Sequence, residues 1–189
     1  MYSQKGFSLI EAMVTLAIAA IVLAVGIPSF QTYIQNSRQA TAINDLATAL
    51  QLARSTAISR RVQVTVCKSN DGATCRTGAG SGDWSQGWII FTDPNNPGTV
   101  DAGEQLLRVH GTLPGNSTFI GNTNVVNRVS FSAQGLARGS NGTLTSCDSR
   151  GANNASALVV SVGGQVRRAT DTDSDGVVDV QGVNVSCPV

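Results

Sequence analysis

The residues able to do chemistry are few, and acids lead them. The run Asp171-Thr172-Asp173-Ser174-Asp175-Gly176-Val177-Val178-Asp179 sets oxygen ligands at positions 1, 3, 5 and 9 of a calcium loop, with Gly at position 6 for the turn. Position 12 is Gly182 rather than Glu. Carboxylates this dense repel one another unless a cation or solvent screens them. A second acidic stretch starts at Asp93 and sets Asn95, Gly98, Asp101 and Glu104 at positions 3, 6, 9 and 12, with Pro97 breaking position 5. No cofactor is required by these patterns, and calcium at Asp171, Asp173, Asp175 and Asp179 is the candidate ion. His110 is the only histidine, which excludes any mechanism needing two imidazoles, and no Cys-x-x-Cys or His-x-x-x-His spacing marks a zinc site. Ser, Asp and one His without triad spacing make no hydrolase, so the chain is expected not to be an enzyme.

The elements that carry these residues are set by an uneven spread of hydrophobicity. The 189 residues hold 13 Lys and Arg against 12 Asp and Glu, a formal charge of +1, which excludes a bulk polycation or an acidic tail. At 41% hydrophobic the chain is near the globular norm, and general disorder is excluded. No charge falls between Glu11 and Arg38, and Ala12 to Ile27 is almost wholly aliphatic. A bilayer core about 30 Å thick needs roughly 20 apolar helical residues, which Phe7 to Ile27 supplies with one acid inside. A conventional signal peptide would use Ala24-Val25-Gly26 for cleavage but leaves Glu11 unexplained. A carboxylate at the head of an apolar helix is costly in lipid and marks a function with a positively charged partner.

The order Lys5-Gly6-Phe7-Ser8-Leu9-Ile10-Glu11, followed at once by the apolar helix, resembles the class III leader of type IV pilins and pseudopilins. The resemblance implies that a prepilin peptidase cuts between Gly6 and Phe7 and methylates the new amino group of Phe7. It also implies that Glu11 neutralises the N-terminal ammonium of an adjacent subunit as the helix leaves the inner membrane for the filament. Physical chemistry agrees, since neither charge is tolerable alone in an apolar bundle and pairing selects one axial register. Loss of Lys5 would leave 12 basic against 12 acidic side chains.

Pro28 should kink the helix, as pilins commonly show, because it lacks an N–H and clashes with the preceding turn. Beyond it Ile43, Leu46, Ala47, Leu50, Ala53 and Ala57 recur at helical steps, predicting an amphipathic continuation to about Arg60. Residues 7–60 would make a rod of about 80 Å at 1.5 Å per residue. Arg54, Arg60 and Arg61 read as a solvated face, the last two suited to the helix C-terminus. From Val62 the pattern changes to short strands near Val62–Cys67, Gly87–Thr92, Gln105–His110, Val126–Ser132, Ala157–Val162, Gln165–Arg168 and Gly182–Cys187, with a hairpin at Gly163-Gly164. The expected fold is α+β: a long N-terminal helical spine, half transmembrane and half amphipathic, packed on a C-terminal antiparallel sheet. The segments are a leader at 1–6, a transmembrane or filament-core helix at 7–28, an amphipathic half at 29–61 and a β-rich head at 62–189.

In the head, Asp83-Trp84-Ser85-Gln86-Gly87-Trp88-Ile89-Ile90-Phe91-Thr92-Asp93, then Asp101-Ala102-Gly103-Glu104 and Leu106-Leu107-Arg108, resemble the GspH/FimT/FimU group of minor pilins and pseudopilins. The paired tryptophans read as an aromatic cluster fixing a strand against the helix. Four Cys in a head outside the cytoplasm read as two disulfides. Cys67 and Cys75 are close enough to staple one loop, leaving Cys147 with Cys187, while two other pairings stay open.

Charge alternates by segment, so local basic surface exists despite neutrality. The hairpin Gly164-Gln165-Val166-Arg167-Arg168 resembles the Gly-Arg-x-Arg element with which FimT-type pilins hold DNA, with Gln165 in place of the first arginine. If Val166 faces the core, Gln165 and Arg167 point outward and one expected phosphate contact becomes a neutral donor. Three functions follow from the resemblance. The first is a minor pilin that assembles with other minor and major pilins, takes part in initiation and tip assembly of type IV pili, and supports adhesion and twitching motility. The second is a FimT-type receptor for DNA in natural transformation, and the third an H-class pseudopilin of type II secretion. The expected location is the inner membrane, single-pass with a periplasmic head, then the pilus tip at the cell surface.

Overall fold

The computed structural model describes residues 6–78, 83–95, 98–115 and 117–187. The chain forms two compact units, Met1–Arg38 and Gln39–Val189. Lys5 and the rest of 1–5 lie outside the described residues. Helix α1 is assigned over Leu9–Arg60 with Pro28 inside it. Its start is capped by Ser8: the Glu11 N–H donates to Ser8 Oγ at 3.3 Å, which satisfies one of the free N–H groups of the first turn. In the first unit the apolar side chains are exposed, among them Leu9, Ile10, Leu16, Ile21, Val25 and Phe30. The helix contains a window with mean hydropathy 2.5, none of it buried, and is long and apolar enough to cross a membrane.

In the second unit the predicted stripe is the buried one. Ile43, Leu46, Leu50, Ala53 and Ala57 are completely buried. The helix stops where Arg61 takes a left-handed φ of 53° and the Val62 N–H reaches back to the Ala57 carbonyl at 3.3 Å. That is a Schellman ending, and it makes Val62 a cap residue rather than the first strand residue expected.

Among the described residues the head contains two four-stranded antiparallel sheets and a small hairpin, where one sheet was expected. The first has β1 (Val64–Lys68), β2 (Trp88–Thr92), β3 (Leu106–His110) and β5 (Arg128–Phe131) in the order β3-β2-β1-β5. The second has β4 (Thr118–Gly121), β6 (Gly142–Cys147), β7 (Ser156–Val160) and β8 (Val166–Arg168) in the order β4-β6-β7-β8. β9 (Asp179–Val180) and β10 (Val183–Asn184) pair with each other. The inward faces of both sheets meet the helix in one core: Val64, Val66, Ile90, Val129 and Phe131 from the first, Phe119, Leu144, Leu158 and Val160 from the second. The alternate residues face outward. Cys67, Ile89 and Phe91 form a small cluster on the outer face of the first sheet, and Ala157 joins another on the outer face of the second, together with Val177 and Val185.

Both disulfides of the sequence reading are formed, Cys67–Cys75 with Cα atoms 5.5 Å apart and Cys147–Cys187 at 5.8 Å. The second ties the C-terminal hairpin over the outer face of the second sheet.

Candidate functional site

At the N-terminus, Gly6, Phe7 and Glu11 are all exposed. Ser8 holds the helix start, so the carboxylate of Glu11 lies in the first turn, where the helix dipole favours negative charge. Nothing within its own chain partners that side chain among the described contacts, which leaves it free for a group on another molecule.

In the head, the motif around the tryptophans proves structural. Asp83 caps the 3-10 turn Trp84–Gln86 by accepting from the Ser85 N–H at 2.9 Å, and its other oxygen accepts from the Phe119 N–H of β4 at 3.0 Å. Trp84, fully buried, donates from Nε1 to the Val125 carbonyl at 3.1 Å. Gly87 has φ +117°, and a Cβ there would lie 2.6 Å from the His110 carbonyl oxygen. Only glycine fits. Trp88 stacks on His110 with ring centroids 4.0 Å apart, and both tryptophans pack in the same core as the helix. This is the fixing role the sequence suggested. His110 also points Nε2 toward Asp45 on the helix at 3.4 Å.

The Gly163-Gly164 hairpin forms as expected, the Gly164 N–H bonding to the Ser161 carbonyl at 2.8 Å. Strand β8 is the edge of its sheet, with Val166 opposite Val160, Arg167 opposite Val159 and Arg168 opposite Leu158. Val166 is half-buried against the core, while Gln165, Arg167 and Arg168 are exposed. Adjacent residues of a strand point to opposite faces, so Arg167 leaves on the outer face and Arg168 on the other. Arg168 therefore does not replace the arginine missing at Gln165. Arg167 lines a polar groove of about 400 Å³ that Asn122, Asn141, Thr143 and Gln181 also line.

Arg54 is a correction to the sequence reading. It is not a solvated residue but half-buried, donating from Nε to the Gly135 carbonyl and from Nη2 to the Gly163 carbonyl, each at 3.1 Å. Its planar fork thus holds the 132–136 turn and the basic hairpin to the helix. No periodic signal marks this, because both acceptors are backbone carbonyls brought near only by the tertiary fold. Arg60 and Arg61 are exposed as expected, with Arg60 bonding Gln105.

The Asp171 loop brings together three of its four acids: one oxygen each from Asp171, Asp173 and Asp179 lie within 4.8 Å of one another. Asp175 instead accepts from the Val177 N–H and from the Asn184 amide. Asp171 accepts from the Ser174 and Gly176 N–H groups at 2.7 and 2.9 Å. The Thr172 hydroxyl and then its N–H hold the Asp179 carboxyl below its ordinary value. For Asp173 the Asp175 N–H pulls downward, but burial and repulsion from Asp175, Asp179 and Asp171 prevail and the net shift is upward. In the second loop Asp93 is fully buried and accepts from the Gly98 N–H at 2.8 Å, and Glu104 accepts from the Asp101 N–H at 2.9 Å. Pro97 lies outside the described residues.

A helix with an exposed apolar first half and a second half buried under antiparallel sheets is the architecture of the pilin class. The chain belongs to the family described as Type II transport protein GspH, whose model matches residues 42–164. Residues 1–27 match the prokaryotic N-terminal methylation motif. The chain is 22% identical to the crystal structure of the Pseudomonas aeruginosa type IV minor pilin FimU, with a TM-score of 0.56 over 71% of this chain and 90% of that one. It is 43% identical to fimbrial protein Q of Moraxella bovis over 25% of this chain and 30% of that protein. It is 33% identical to the type IV major fimbrial protein FimA of Dichelobacter nodosus over 54% and 62%. The chain thus spans less than two thirds of the length of the two fimbrial proteins. With the methylation motif at its N-terminus, it is a pilin or pseudopilin of the type IV pilus or type II secretion family.

Proposed function

We propose that the protein is a minor pilin of the type IV pilus. A prepilin peptidase cuts between Gly6 and Phe7 and methylates Phe7, and the apolar half of α1 holds the chain in the inner membrane. From there it packs with other minor and major pilins during initiation and tip assembly, supporting adhesion and twitching motility. The observation that carries this reading is the exposed apolar helix headed in register by Gly6, Phe7 and Glu11. An apolar face of that extent is unstable in water and requires lipid or neighbouring helices. Intact-mass analysis should find Phe7 as a methylated N-terminus, and cleavage after Gly26 would remove the proposal. Glu11→Ala should be processed normally yet enter filaments poorly, and normal entry would show that charge pairing is dispensable.

A second reading, capture of DNA, is favoured by the exposed Arg167 beside the polar groove. One arginine on the outer face supports only weak, salt-sensitive and sequence-independent binding. Anisotropy titration of the full chain in detergent, with Arg167→Gln as control, tests it. An H-class pseudopilin of type II secretion accords with the family description, and which secretion or pilus defect follows deletion decides between the systems. Calcium at Asp171, Asp173 and Asp179 is a further part of the proposal, supported by their convergence. Asp173→Asn should abolish any calcium-dependent rise in melting temperature that arises there.

A further inference from the structure

The acidic loop with the weaker sequence signal holds the more demanding electrostatics. Strands β2 and β3 pair with Phe91 opposite Leu106. One residue on, the Thr92 N–H donates to the Gln105 carbonyl at 3.0 Å and the Gln105 N–H to Thr92 Oγ1 at 2.8 Å. Continued by one more residue, this register sets Asp93 directly opposite Glu104 at the base of the hairpin loop. Side chains so paired share a face of the ladder, with Cβ atoms about 4.5–5.5 Å apart.

Each of these carboxylates has one satisfied oxygen and one that is not. Asp93 is completely buried; its Oδ2 takes the Gly98 N–H, whereas Oδ1 is buried with no hydrogen-bond partner. Glu104 Oε2 takes the Asp101 N–H, and Oε1 is likewise buried and unpartnered. Among the described residues only Ser146 Oγ, on the second sheet, shares that condition. An ionised carboxylate oxygen removed from water without a partner is costly, and two facing carboxylates aggravate the cost. The nearby cation, Arg128, lies against Gly98, where a Cβ would be 2.6 Å from its Nη1, yet neither orphan oxygen is bonded to it. One guanidinium against Asp93, Asp101 and Glu104 leaves two negative charges uncompensated.

We propose that the β2–β3 hairpin loop binds a hard divalent cation between the carboxylates of Asp93 and Glu104. The donor set is oxygen alone, without the nitrogen or sulfur that selects zinc or copper, and the remaining ligands are backbone carbonyls and water. The cation ties Asp93 to Glu104 beside the outer face of the first sheet, where Val100 packs on Cys67, Ile89 and Phe91. The Asp171 loop differs, because its acids are largely exposed and bonded to their own backbone.

The test is calorimetric titration of the full chain in nonionic detergent, stripped with chelator, using Ca²⁺ and then Mg²⁺. The parent should bind a cation that Glu104→Gln and Asp93→Asn each weaken about tenfold or more, while Asp173→Asn leaves it unchanged. No heat from the parent with either ion would overturn the proposal. Binding unaffected by Glu104→Gln, or lost only in Asp173→Asn, would also overturn it. Glu104 is only half-buried, so Glu104→Gln stands as the test if Asp93→Asn does not fold.

Discussion

Replacing Arg54 tests whether the helix positions the basic hairpin. The guanidinium donates one bond to each of two carbonyls, Gly135 O and Gly163 O, belonging to different loops. Bonds from a charged donor contribute about 1.5–3 kcal/mol each, and partial solvent access at this half-buried residue favours the low end. Arg54→Ala should therefore cost about 2–3 kcal/mol. A compact unit of this size loses about 2–4 °C per kcal/mol, so the melting temperature should fall by roughly 5–10 °C. Arg54→Lys keeps the charge but not the fork, and should recover at most half of the loss. Thermal melting of the full chain in detergent reads the magnitude, and amide exchange at Gly164 and Ala137 reads the location. Arg54→Lys melting with the parent, with exchange at those amides unchanged, would refute the clamp.

Gly164→Ala should be far worse than Gly139→Ala. Both have positive φ, but a Cβ at Gly164 would sit 1.9 Å from the Gly135 carbonyl oxygen, whereas nothing lies near Gly139. Similar melting temperatures would show that the close approach relaxes without cost. Removing the Cys147–Cys187 bridge, of sequence separation 40, should cost about 4 kcal/mol by chain entropy, against about 2.5 kcal/mol for Cys67–Cys75, of separation 8. Denaturant melts of the paired Ser variants check the order, and the reverse order would refute it. The Asp71 carboxyl is held well below its ordinary value, first by the Thr74 hydroxyl, then by the Thr74 and Ala73 N–H groups and the Ser69 hydroxyl. A depressed folded value means stability that is present above about pH 4 and lost as pH falls toward the folded value. Asp148, lowered chiefly by its bond from Arg150, acts in the same direction. Asp71→Asn should thus be less stable than the parent at pH 6 and approach it near pH 2, and a gap constant with pH would contradict the assignment.

Much of the fold was legible in the chain, because periodicity records burial. Every large residue named on the helical stripe is buried, and the strands rich in Val, Ile and Phe were visible. Three strands were not. β4 spans only Thr118–Gly121, β9 only Asp179–Val180, and in β6 the single large apolar residue is Leu144. In β6 the pairing with β4 and β7 supplies what the local pattern lacks.

The N-terminal methylation motif, the apolar helix and the acid at its head needed no tertiary information, since each is carried by contiguous residues. The other determinants depend on distance between segments far apart in sequence. Which cysteines pair, that Arg54 spans two loops, that Arg167 and Arg168 face apart, and that Asp93 rather than the richer acidic loop holds an orphaned oxygen were decided only when the two sheets closed on the helix. A sequence records which residues can be charged, but only the packed chain determines which of those charges has lost its water.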